Sequence, residues 1–209
     1  MNILFEGAKE FGLIDYQKNK DLYKRLSKGQ KPHTLFICCS DSRVVPGLIT
    51  KTLPGELFVV RNVANMVPFY RISTEFLATT SAIEYSVLVL NVSNIVVCGH
   101  SNCGGCHALL LDEKKLSSTP HTKRWLELAS RTRKKGLEMV ESRAMERDEI
   151  ERRIEQENVI EQMGRLMTYP YIEEKQSNGL LNIYGWYFEI GSGTIYNYNK
   201  HKKAFEKIS

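Results

Sequence analysis

The sequence predicts an α/β fold: a mostly parallel central sheet flanked by helices, with a C-terminal antiparallel edge strand and an N-terminal helical arm. Three observations carry this. Short apolar runs such as Thr34-Leu-Phe-Ile-Cys-Cys39 and Ile95-Val-Val-Cys98 lack the alternation of a half-exposed strand and read as strands buried on both faces. Segments of helical periodicity separate these runs, as parallel connections require. The turns that follow them are rich in glycine and polar residues.

Taken in order, residues 4–28 carry apolar positions at helical spacing (Phe5, Ala8, Phe11, Tyr16, Leu22, Tyr23, Leu26), which predicts helices ending near Gly29. The first strand is Thr34–Cys39. The second, Glu56–Arg61, follows a Pro54-Gly55 turn, and an apolar helix is expected over 74–90. The third strand is Ile95–Cys98, with a helix opening near Cys106. Two more runs, 180–184 and 186–190, lead through a Gly191-Ser192-Gly193 turn into Thr194–Tyr198, an antiparallel hairpin. No repeat or linker composition interrupts the chain, so a single domain is expected, with an arm over 1–28 and a core over 30–198.

The chain has 209 residues, 42% hydrophobic and 25% charged, enough for one buried core and unlike disordered or fibrous composition. Its net charge of +5 is not concentrated: residues 112–157 hold 12 basic and 11 acidic side chains, which reads as a solvated helical surface. Arg131, Arg133, Lys134 and Lys135 have no aromatic residues interleaved for stacking, so no nucleic-acid partner is expected. The N-terminal segment reaches charge too early for a secretion signal. The most apolar stretch, 87–98, is too short to span a bilayer, so a cytoplasmic protein without a membrane partner is expected. Five cysteines, an odd number in a chain of this size, favour thiols or a metal site over a disulfide framework.

Two strand ends concentrate the chemistry. The first runs Cys38-Cys39-Ser40-Asp41-Ser42-Arg43; the third runs Cys98-Gly99-His100-Ser101-Asn102-Cys103-Gly104-Gly105-Cys106. If these strands are parallel neighbours, the two turns face each other. His100 and Cys103 in a tight turn, joined by a thiolate from the first strand end, make a Cys₂His set with an open fourth position, a pattern of catalytic zinc. Adjacent strand residues point to opposite faces, so only one of Cys38 and Cys39 reaches the site; Cys39, last before the polar turn, is the expected ligand, with Cys38 and Cys98 in the core. Asp41 and Arg43, two apart on one turn, are placed for a bidentate ion pair that leaves the carboxylate able to accept a further hydrogen bond.

These segments, Cys39-Ser-Asp-Ser-Arg43-Val, Pro54-Gly-Glu-Leu-Phe, Arg61-Asn-Val-Ala-Asn65 and Cys98-Gly-His-Ser-Asn-Cys-Gly-Gly105, with Gly185-Trp186 later, resemble the signatures of the β-class carbonic anhydrases. The resemblance runs from about Gln30 to Tyr198 and is weakest over 112–160. It implies reversible hydration of CO₂ to bicarbonate and a proton by metal-bound hydroxide. One zinc ion per chain would be held by Cys39, His100 and Cys103, with an Asp41–Arg43 dyad beside it. Gln30 is implied as a substrate-side donor, with backbone N–H groups near Gly104 stabilising charge on the CO₂ oxygens. The family's sheet extends across a dimer, so a homodimer or homotetramer is implied. Val44, Val63, Val67 and Phe69 are candidate pocket liners.

Some members hold bicarbonate in a second pocket of Trp, Arg and Tyr. Here the arginine matches Arg61, but Phe36 and Phe188 stand at the other two positions and lack N–H and O–H donors. Weak or absent bicarbonate regulation is the expectation. Cys106 and His107 are atypical and have no expected role. Hydrolysis of the linear CO₂ analogues COS or CS₂ is the alternative within enzymes. A non-catalytic zinc module is the alternative outside them, though it would have no need of Asp41, Arg43 and Gln30.

Overall fold

The structure, a computed structural model, describes residues 2–75 and 77–209, except for the side chain of Glu113. It comprises two compact units, residues 1–31 and 32–209. In the first, α1 (Asn2–Glu10) runs through a π-helical segment, Phe11–Asp15, into α2 (Tyr16–Lys18) and α3 (Lys20–Leu26). Phe11 and Tyr16 pack their rings on Tyr23 at 5.8 and 5.5 Å, which accounts for the helical spacing of these aromatics. Gln30 lies in this unit, not with the core with which the sequence reading grouped it.

The second unit holds β1 (Thr34–Cys39), α4 (Pro46–Thr50), β2 (Leu57–Asn62), α5 (Ala78–Glu84), β3 (Asn94–His100), α6 (Gly104–Leu109), α7 (Pro120–Leu126), α8 (Ser130–Ser142), α9 (Arg147–Leu166), α10 (Pro170–Ser177), β4 (Asn182–Glu189), β5 (Thr194–Asn199) and β6 (Ala204–Lys207). The sheet order is β2-β1-β3-β4-β5-β6. The first four strands are parallel, and β5 and β6 return antiparallel. The expected α/β class is thus observed.

Particular elements differ from the sequence reading. The runs at 180–184 and 186–190 form the single strand β4, because Gly185 continues the pairing with Val97. The helix expected over 74–90 is α5 followed by a π-helical stretch, Tyr85–Val89; Phe76 lies outside the described residues. Strand β6 is additional. It is short and Lys-flanked, as edge strands are, and such a segment carries no apolar signal.

β1 is buried along its whole length. Its side chains alternate: Leu35 and Ile37 face the core packed on α9, through Val159, Met163 and Leu166. Phe36 and Cys38 face the opposite core with Val44, Val96, Cys98 and Phe188. The chain leaves β1 toward β2 on one side and returns to β3 on the other, so β1 and β3 flank a switch in strand order. In open α/β sheets such a switch leaves a crevice at the carboxyl ends of the strands.

Candidate metal centre

Cys38 pairs in register with Cys98, which sets the ends of β1 and β3 side by side. The alternation that sends Cys38 into the core turns Cys39 toward the α9 side, among Cys103, Cys106, Ala64 and Met66. His100 ends β3 fully buried, and Cys103 caps the start of α6 at 1% exposure. Between them Asn102 adopts a left-handed conformation (φ 55°), which Asn tolerates well. Gly99 is required for the approach of β3 to α9, since a Cβ there would sit 2.6 Å from Val159 Cγ2.

The ligand atoms of Cys39, His100 and Cys103 lie within 4.8 Å of one another, a metal-competent cluster among the described residues. The two sulfurs are 4.0 Å apart. Tetrahedral zinc at about 2.3 Å from each sulfur needs them about 3.8 Å apart. His100 Nδ1 lies 2.9 Å from the Ser101 carbonyl, which can only accept, so Nδ1 carries the proton. Nε2 is then a bare lone pair, buried and without a hydrogen-bond partner. Two sulfurs and an orphaned imidazole nitrogen around one point fit a zinc ion. The contact with Cys103, and then burial, push the Cys39 thiol up to about 12, and Cys103 is raised as well. Cys106 is buried beside Cys103 but outside the cluster, and His107 Nδ1 instead meets Glu151 at 3.0 Å.

The expected ion pair is formed. Arg43 Nε and Nη2 donate to Asp41 Oδ1 and Oδ2 at 2.9 and 2.8 Å, and the Arg43 backbone N–H donates to Oδ1 at 3.0 Å. Arg43 holds the Asp41 carboxyl well below the usual carboxylate range. Asp41 Oδ2 stands 3.9 Å from His100 Nε2. Arg43 Nη2 also donates to the Asn102 carbonyl at 3.0 Å, tying the two loops together. Arg61 donates to the carbonyls of Cys39 (3.2 Å) and Asp41 (2.6 Å).

The remaining expected residues are more scattered. Gly104 opens α6 with free space on its Cβ side. Gln30 is exposed in the first unit. Of the candidate liners, Val44 and Val67 are core residues, while Val63 and Phe69 are 40% and 54% exposed.

The inner face of α9 carries polar residues that the sequence pattern does not mark. Glu155, counted among solvated charges, is 4% exposed, because it lies on the stripe of Ile150, Ile154 and Val159. Its Oε1 accepts from the Cys103 N–H at 2.8 Å and its Oε2 from the Tyr187 hydroxyl at 2.8 Å. Burial pushes its carboxyl up to about 7. Below it, Asn158 donates to the Ala64 carbonyl and Gln162 accepts from the Val67 N–H. These bonds hold the loop in which Ala64 (φ 60°) and Asn65 (φ 46°) are left-handed. The spacing 155, 158, 162 within an apolar stripe is the signal that could have shown them.

A sheet with this strand order and a buried Cys₂His cluster at its switch point define an α/β protein with a site able to hold a metal ion. Comparison with known proteins agrees. The family model described as "Carbonic anhydrase" matches residues 34–195. The chain is 39% identical over 208 residues to the carbonic anhydrase of Helicobacter pylori strain J99, covering 98% of this chain and 93% of that protein. It is 38% identical to that of Pseudomonas aeruginosa, covering 93% and 86%. Among solved structures, the β-carbonic anhydrase CcaA superposes with a TM-score of 0.94 at 34% identity, over 100% of this chain and 92% of that one. One from a pair of tetrameric β-carbonic anhydrases of Sordaria macrospora gives 0.81 at 33% identity, over 94% and 95%. The chain belongs to the β-class carbonic anhydrase family, enzymes of the lyase class. Among the described residues no helix is long and apolar enough to cross a membrane.

Proposed function

We propose that the enzyme catalyses reversible hydration of CO₂ with one zinc ion held by Cys39, His100 and Cys103. The observation that carries the reading is the buried lone pair of His100 Nε2 facing two sulfurs beside an ion-paired carboxylate. Bound zinc would supply Lewis acidity, bringing the pKa of a coordinated water from 15.7 toward about 7. Asp41, ionised and oriented by Arg43, accepts a proton's hydrogen bond from the attacking oxygen and aims that oxygen's lone pair at carbon. Arg43 keeps the carboxylate turned for that task and so out of the ligand set. The N–H groups at Gly104 donate to the oxygens of CO₂ as charge grows on them, a task the family resemblance also gives to the Gln30 amide. Arg61 fixes the backbone on which Asp41 stands.

A structural zinc site would have no use for the Asp41–Arg43 pair, which favours a catalytic role. We read the chain as one catalytic domain with an N-terminal arm, acting in the cytoplasm as a homodimer or homotetramer. The relatives described as tetrameric support assembly. Phe36 and Phe188, buried in the opposite core, offer a second anion pocket no donor, consistent with little bicarbonate regulation. The deciding experiment is stopped-flow CO₂ hydration alongside COS hydrolysis, with metal content measured, on wild type and Cys39→Ser. Fast CO₂ turnover with one zinc per chain, both lost in Cys39→Ser, is expected. Faster COS turnover, or a zinc-replete and active Cys39→Ser, refutes the assignment.

A further inference from the structure

We propose that Glu155 is a positioning residue of the metal centre: from α9 it fixes the backbone of Cys103, and through it the direction of the Cys103 sulfur, while Tyr187 braces the carboxylate from the other side. The inference rests on the zinc reading above. Glu155 lies on the inner face of α9 among Ile150, Ile154 and Val159, a face it shares with the buried polar side chains of Asn158 and Gln162. Its contacts are the two hydrogen bonds at 2.8 Å, with no ion pair among the described residues. Burying a carboxylate without a counter-charge is costly, and an aliphatic side chain would fill the same space more cheaply. What the acid supplies is direction. The Cys103 N–H is the last backbone donor before α6, in a loop already bent through the left-handed Asn102, and one atom pins it.

Tyr187 is fully buried on β4, so the brace is anchored in the sheet and not in a loop. The carboxylate thus links α9 to β4 and holds the loop that carries Cys103 between them. Side chains behind metal ligands act in this way, setting orientation without touching the ion.

The test uses cobalt(II) as a spectroscopic probe in wild type, Glu155→Met, Glu155→Gln and Tyr187→Phe, well below the unfolding temperature of each metal-free protein. Cobalt affinity is read by chelator competition, and geometry by the thiolate-to-metal and ligand-field absorption bands. Glu155→Met is expected to weaken binding by about 10–100-fold and to shift the bands. Glu155→Gln keeps an amide oxygen for the Cys103 N–H and is expected to restore both, to within about threefold. A folded Glu155→Met with wild-type affinity and bands overturns the proposal. So does a Glu155→Gln as impaired as Glu155→Met, since charge and not position would then matter. If Glu155→Met does not fold, Tyr187→Phe decides: about tenfold weaker binding is expected, and unchanged binding overturns the proposal. Wild type that binds no cobalt refutes the zinc reading itself and takes this inference with it.

Discussion

Replacing Arg43 by Ala isolates the orientation of Asp41. The substitution removes two of the three hydrogen bonds to the carboxylate, those at 2.9 and 2.8 Å, and leaves the backbone donor at 3.0 Å. Stability should barely respond: the Arg43 side chain is 45% exposed, so the pair contributes on the order of 1 kcal/mol or less, a melting shift of about 2–4 °C. Turnover should respond strongly. Oδ2, at present 3.9 Å from His100 Nε2, is freed to turn into the space where the attacking oxygen belongs. Misplacement of a catalytic group on that scale costs about 100-fold. The pH dependence separates orientation from ionisation. Arg43 depresses the Asp41 pKa, so its removal returns the carboxyl toward 3.8, still ionised at neutral pH. The loss in kcat/KM should therefore be flat between about pH 7 and 9. Stopped-flow CO₂ hydration with a pH indicator measures it. A variant within twofold of wild type, or one whose deficit vanishes as pH rises, refutes the reasoning.

Two other outcomes are expected. Because the Cys39 thiol is pushed up to about 12 and Cys103 is also raised, both sulfurs are protonated in the metal-free protein near neutral pH, and the metal takes them as thiolates. Zinc uptake should release about two protons and weaken about 100-fold per pH unit lowered; titration calorimetry in two buffers of different ionisation enthalpy gives the count, and release near zero argues against thiolate ligation. Gly99→Ala places a methyl 2.6 Å from Val159 Cγ2 and 3.4 Å from the Glu155 carbonyl. It should destabilise by about 1–3 kcal/mol, lowering the melting temperature by several degrees in calorimetry, and an unchanged melting point would show that α9 can move away.

What was legible in the sequence was legible for physical reasons. Thr34–Cys39 and the Ile95–Cys98 part of β3 are buried on both faces, so they read as short apolar runs, and a thiol at the last position of β1 has only one face to choose. The Asp41–Arg43 pair lies within one turn and needs no tertiary information. Glu155, Asn158 and Gln162 were hidden because periodicity identifies burial by apolar residues, and these are polar residues buried for their hydrogen bonds. They also lie in a segment dense in exposed charge, where one inward-facing acid looks like any other. The π-helical stretches at Phe11–Asp15 and Tyr85–Val89 differ from α-helix by a single hydrogen-bond step that residue spacing does not reveal.

The Asp41 carbonyl is clamped by Arg61 at 2.6 Å, independently of its side chain. The main chain therefore stays put whichever way the carboxylate points. Exchange between a paired and a released carboxylate is a rotamer flip about χ1 and χ2, with nanosecond motion once the guanidinium lets go, and no microsecond loop rearrangement is required. Turning the carboxylate would then require only that its ion pair and the Arg43 backbone hydrogen bond break, with the main chain in place.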